Sequence, residues 1–274
     1  MSYYDIVKEF ENHVNDFHTW WDPNRFDWKY SYVLCEREKT RFNIWWNPDK
    51  FNWLDDSWAL CKYLANKFDI WWNANKFEWQ SYSNYLCKHL KTKFNIWWDP
   101  SRFNWQKASQ YLCEYLSDKF DTWWNPDRFN WKGSGSWTLC EYLSNRFDDW
   151  WDPNRFDWKG SSWALCEYLN SKFDVWWDPD RFNWEYSSSV LCQFLSHKFD
   201  IWWDPDRFGW KHSSALCKYL PDKINQWWNP LLINWKTTAT SLKKVSIELY
   251  NQYRYLRMVN SDELSIFIKE QLEL

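Results

Sequence analysis

Glycine is nearly absent: four residues in 274, too few for a glycine-rich phosphate loop. Long apolar runs are absent too. No window of about 18 apolar residues exists, so no membrane-spanning helix is expected. The opening residues, Met1-Ser2-Tyr3-Tyr4-Asp5, hold neither a basic nor an apolar leader region, and no secretory signal is read there. A formal charge of −3 gives no global reason to look for nucleic acid or anionic lipid. Paired metal-ligand cysteines are missing. The eight cysteines come singly, about 26 residues apart, and the five histidines (His13, His18, His89, His197 and His212) keep no fixed place in that rhythm. Metal binding needs ligands that converge, so no metal or other cofactor is expected. The thiols read as free, which suits a reducing, cytoplasmic setting. They also read as small buried groups where helices pack closely.

Aliphatic residues are scarce beside 30 Trp, 19 Phe and 16 Tyr, so aromatics must supply the core. A buried aromatic removes roughly 150–250 Å² from water, enough in sum to argue against disorder despite the low hydropathy.

The tryptophans are periodic. Pairs fall at 20/21, 45/46, 71/72, 97/98, 123/124, 150/151, 176/177, 202/203 and 227/228, with successive spacings of 25, 26, 26, 26, 27, 26, 26 and 25. A third Trp follows each pair: Trp28, Trp53, Trp79, Trp105, Trp131, Trp158, Trp184, Trp210 and Trp235. The cysteines share the rhythm: Cys35, Cys61, Cys87, Cys113, Cys140, Cys166, Cys192 and Cys217. The chain is therefore an array of nine repeats of about 26 residues.

In the third copy, Leu60, Cys61, Leu64, Phe68, Trp71 and Trp72 share an arc of about 120° at helical pitch, which predicts one amphipathic helix through both the Leu-Cys and the double-Trp segments. Ser57 is the expected N-cap. Asp or Asn followed by Pro then ends that helix and opens a second, short one such as Pro100 to Gln106. A competing reading makes Phe-Asp-Ile-Trp-Trp and Phe-Asn-Trp two short strands around a type I turn. The helical reading is preferred because its apolar arc runs back through Leu and Cys. One such unit cannot bury its aromatic face alone, but stacked copies can. The fold class expected is all-α: an α-solenoid of nine Trp-rich repeats, each with one long and one short helix.

The array is assigned to residues 1–236 and a helical cap or docking segment to residues 237–274. Phe10 and His13 replace repeat residues at the start, and Leu232 and Ile233 replace the basic-Phe pair at the end. In the closing segment Leu242, Val245, Leu249, Tyr253 and Leu256 predict a helix, and Ser261-Asp262-Glu263 the start of another.

Almost every polar position is repeated, which suits a lattice of contacts better than a reaction centre, and no enzyme is expected. The leading functional reading is a protein-interaction scaffold that engages another protein or its own copies. Its candidate partner-binding column is Tyr63, Tyr115, Tyr142, Tyr168, Phe194 and Tyr219, with His89 at the same place and Ile70, Thr122, Val175 and Ile201 seven residues on. The bland counterpart is that this stripe packs on the adjacent repeat. A weaker candidate is the basic column Arg102, Arg128, Arg155, Arg181 and Arg207, read as a phosphate-tracking stripe with interleaved aromatics. Its counterpart is pairing with the flanking acids. The alternative function is a module that stacks a glycan or nucleic acid on exposed aromatics. The third is a self-assembling structural protein.

Overall fold

The computed structural model describes residues 3–13 and 16–256. The protein is all-α, with no strand among the described residues. It divides into two units, residues 1–130 and 131–274. Within each, long helices alternate with one-turn helices and successive long helices pack on one another, the arrangement of an α-solenoid.

The helix boundaries differ from the sequence expectation. The long helix begins at the third Trp and ends just past the Cys: Trp53–Tyr63, Trp79–His89, Trp105–Leu116, Trp158–Tyr168 and Trp184–Phe194. Asn52, not Ser57, caps the Trp53–Tyr63 helix, its side chain accepting from the Asp55 N–H. Asn104, Asp157 and Asn183 do the same for their helices. The helix stops at Leu64, whose φ of −125° and ψ of 27° leave the helical region. A 3-10 turn, Ala65–Lys67, and the one-turn helix Phe68–Trp71 follow. The Leu-Cys and double-Trp segments therefore occupy separate helices. The predicted arc nevertheless marks what is buried. Leu60, Cys61, Leu64, Phe68 and Trp71 all lie in the core, because the bend keeps both helices facing the same interior.

The element expected after Asp-Pro is not a helix. Asn47 Oδ1 accepts from the Asp49 and Lys50 amides, and the Phe51 N–H bonds the Asn47 carbonyl. The side chain thus closes a single turn that leads straight into the next N-cap. The short partner of each long helix is instead the Phe-to-Trp turn.

Variation in spacing is absorbed at the start of the long helix. From third Trp to Cys is eight residues in most copies but seven at Trp28 and Trp210, and nine at Trp131. The two short copies open with a 3-10 turn, Trp28–Tyr30 and Trp210–His212. The long one passes through Gly133, whose φ of +58° is the only left-handed glycine among the described residues. Downstream register is preserved in every case.

The helix Trp235–Val245 crosses the 236/237 boundary, with Thr238 and Leu242 in the positions Ser213 and Cys217 hold one repeat earlier. Ser246, at φ −146° and ψ 106°, separates it from Ile247–Leu256, so the expected single helix is two. Tyr250 stacks on Trp235 at 5.4 Å. The start expected at Ser261 lies outside the described residues.

Candidate functional site

Each repeat uses its three tryptophans differently. From the second repeat on, the first of the pair is sealed. Trp45, Trp71, Trp97, Trp123, Trp150, Trp176, Trp202 and Trp227 are 1–2% exposed. Each donates its indole N–H, at 2.7–2.8 Å, to the carbonyl seven residues earlier, such as Leu64 for Trp71. It adds a second hydrogen bond where the long helix breaks, at a carbonyl that in the case of Leu64 also accepts from the Lys67 amide at 2.9 Å. The third Trp donates to the carbonyl five residues back, at Pro48 for Trp53 and Pro100 for Trp105. The second Trp is half-buried, with its ring stacked on the preceding Phe at 5.1 Å in Trp72 and Trp98. The indole nitrogens of Trp46, Trp72, Trp98, Trp151, Trp177 and Trp203 have no acceptor among the described residues.

A serine column that the sequence reading passed over ties the repeats together. Ser31, Ser57, Ser83, Ser109, Ser136, Ser162, Ser188 and Ser213 are fully buried. The first seven donate to the carbonyl of the third Trp at the head of their own long-helix segment, Trp28 to Trp184. All eight accept, at 2.9–3.3 Å, from the backbone N–H 21 residues later, that of the residue just before the third Trp of the next long-helix segment. The signal was present: every one stands four residues before its Cys.

The Arg column reaches backward. Arg102, Arg128, Arg181 and Arg207 donate to the carbonyls of Ala74, Pro100, Pro153 and Pro179 in the preceding repeat. Arg155 pairs with Asp152 at 3.2 Å. The other basic column also bridges copies, as in Lys93–Asp69, Lys172–Asp148, Lys198–Asp174 and Lys223–Asp200 at 2.8–3.0 Å.

The Tyr column lies at the C-terminal end of the long helices. Tyr63, Tyr115, Tyr168, Phe194 and Tyr219 are half-buried and Tyr142 is exposed. Tyr63 donates to Glu36 Oε1 of the preceding helix at 3.0 Å, and Tyr115 lines an open groove with Lys91, Asn95 and Asp118. Because the helix breaks at the following Leu, Ile70, Val175 and Ile201 stand on the one-turn helix instead, where they are exposed.

Beside the Tyr column is a second aromatic set that the sequence reading left unassigned. Three residues before Cys stand Tyr32 and Trp58 in one unit and Trp137 and Trp163 in the other. Their rings contact from copy to copy, Tyr32–Trp58 and Trp137–Trp163 each at 6.2 Å. They also meet the Tyr column, Trp58–Tyr63 at 6.0 Å and Trp163–Tyr168 at 6.2 Å. All are half-buried, so each unit carries an outer aromatic layer distinct from its core.

Polar groups elsewhere are structural. The eight cysteines are buried and form no disulfide among the described residues, and burial pushes up the thiols of Cys35, Cys61, Cys87, Cys166, Cys192 and Cys217, the last to about 11. Among the described residues no three His, Cys, Asp or Glu come together as a metal ion requires. Asp56, 4% exposed, accepts from the Tyr32 amide at 3.0 Å and so caps the neighbouring Ser31–Arg37 helix. Burial raises its carboxyl to about 7. No helix is long and apolar enough to cross a membrane among the described residues. No protein-family model matches this chain, and neither a curated protein nor a solved structure matches it.

Proposed function

We propose that the chain is a non-enzymatic interaction scaffold whose docking surface is the outer aromatic face of its long helices. The observation that supports this is the division of labour among aromatics. The fold seals eight tryptophans almost completely yet leaves a second layer, with rings in mutual contact, half-open. Half-exposed Tyr and Trp offer large, rigid contact area at low entropic cost, which is why they anchor protein interfaces. The partner is another protein or a further copy of this chain. Eight buried thiols with no disulfide among the described residues suit a reducing compartment, where we place it.

The basic columns favour this reading over a polyanion-binding one. Their cations are directed to carbonyls and carboxylates of adjacent copies, which leaves little charge for phosphate. The test is replacement of Tyr63, Tyr115, Tyr142, Tyr168, Phe194 and Tyr219 by Ala, with retained helicity checked by circular dichroism. Partners held by the wild type from native extract are lost by the variant. An unchanged set of partners overturns the proposal.

A further inference from the structure

The repeats carry one internal comparison of the outer aromatic layer. On the Trp53–Tyr63 helix the rings of Trp58 and Tyr63 lie 6.0 Å apart at 58°. The Trp158–Tyr168 helix carries the same pair at the same register, Trp163 and Tyr168, 6.2 Å apart at 61°. A neighbouring ring completes each. Tyr32 lies 6.2 Å from Trp58 at 29°, and Trp137 lies 6.2 Å from Trp163 at 35°.

The residue between the paired rings differs. In the first case it is Lys62, whose Nζ stands 5.6 Å from the Trp58 centroid and 4.8 Å from that of Tyr63. The negative ring faces are thereby matched by a cation of the same chain. In the second it is Glu167. No cation of the described residues stands over Trp137, Trp163 or Tyr168. Glu141, at the equivalent place on the preceding helix, doubles the negative charge. Both carboxylates are half-buried, and neither forms a hydrogen bond or ion pair among the described residues. They lie close enough to act on Tyr168. Burial first, then Glu141 and Glu167, hold its hydroxyl above the usual value. Negative charge collected on aromatic faces and partly withdrawn from water is unfavourable without a counter-charge.

We propose that Trp137, Glu141, Trp163, Glu167 and Tyr168 form a recognition site for a cationic side chain, a Lys or Arg carried by a basic segment of a protein partner, with Lys62 as the intramolecular version of that ligand. The ring pair supplies the faces and the two carboxylates supply the counter-charge. The same carboxylates repel phosphate, so a nucleic acid is not the occupant. This rests on the outer face being a docking surface, and it specifies what docks there.

The experiment uses the full chain and fluorescein-labelled peptides of about ten residues, one of Lys, Arg, Gly and Ser and one with Glu in place of the basic residues, followed by fluorescence anisotropy. The basic peptide binds saturably and weakens as salt rises, while the acidic peptide does not bind. Glu167→Lys fills the ring pair from within, as Lys62 does at the other site, and lowers affinity for the basic peptide about tenfold or more. Lys62→Glu does the opposite. It clears the Trp58 and Tyr63 faces, sets a second carboxylate near Glu36, and raises the stoichiometry from one peptide to two. Asp222→Lys, an exposed control of the same charge change, leaves the affinity within about twofold.

Failure of the basic peptide to bind overturns the proposal, as does equal loss in Glu167→Lys and Asp222→Lys. In either case the scaffold reading is judged separately, by whether replacing the Tyr column removes natural partners. Loss of those partners with no discrimination between basic and acidic peptides leaves the scaffold standing and the cation site refuted.

Discussion

Removing one hydroxyl of the serine column uncouples two neighbouring repeats without touching the aromatic core. Ser83 is the clearest case. It is 1% exposed, and its Oγ accepts from the Asn104 amide at 3.0 Å. Asn104 is itself buried and opens the next long helix. Ser83→Ala leaves that amide with no acceptor and no ready access to water. An orphaned buried donor costs about 1–3 kcal/mol, more than the net value of the bond. At about 1.4 kcal/mol per factor of ten, the Asn104 amide then exchanges with solvent roughly fivefold to 150-fold faster in native-state hydrogen exchange. That local readout suits a repeat array, in which a global two-state unfolding energy is not guaranteed. The control is Ser81→Ala on the same helix, where the serine is exposed and the change costs within about 0.5 kcal/mol. Equal exchange of Asn104 in the two variants would show that the column does not join the repeats.

Three further outcomes follow from the same geometry. Trp71→Phe shrinks a sealed indole and removes one of the two hydrogen bonds at the Leu64 carbonyl, which keeps only the Lys67 amide, and so costs roughly 2–4 kcal/mol; Trp72→Phe, at a half-buried ring, costs less, and urea titration of the two variants ranks them. Asp56 has a folded value of about 7 against an ordinary 3.8. Its contribution to stability is therefore full below about pH 4 and declines as pH rises toward 7, by roughly 4 kcal/mol at most. Asp56→Asn flattens that decline and is more stable than the wild type at pH 8, as thermal melts across pH will register; a wild type that gains stability over this window relative to the variant refutes the assignment. The eight buried thiols stay unreactive toward a disulfide reagent while the protein is folded and all react on unfolding; prompt reaction of even one would contradict the packing.

Periodicity holds most of what the sequence discloses. The spacing of Trp, Leu and Cys carried the repeat, the helical class and the buried face, because burial follows residue type and helical pitch. The helix boundaries were not legible. Leu64 is a good helix former, and nothing beside it resembles a breaker. The bend is held by Trp71, whose indole takes the Leu64 carbonyl from seven residues away, a tertiary bond that no local pattern displays. Asn-Pro and Asp-Pro likewise look like a helix start, but the carboxamide or carboxylate folds onto the amides two and three residues ahead and closes a turn. The Ser column was periodic and visible, but a serine near a helix start reads first as a cap. The outer aromatic set escaped notice because it is irregular. Tyr32, Trp58, Trp137 and Trp163 share a register that Asn84, Gln110, Ser189 and Ser214 interrupt, so it stands out only once the rings are seen to touch.

Stacked repeats hold three indole columns in three different environments, and exchange of the indole N–H protons, followed by NMR on protein labelled with ¹⁵N-tryptophan, tests this directly. The first column, Trp45 through Trp227, should exchange slowest, since each N–H is sealed and held by a carbonyl. Trp46, Trp72, Trp98, Trp151, Trp177 and Trp203 should exchange fast. Fast exchange across the first column, or protection of the second equal to it, would contradict the stacking of repeats described above.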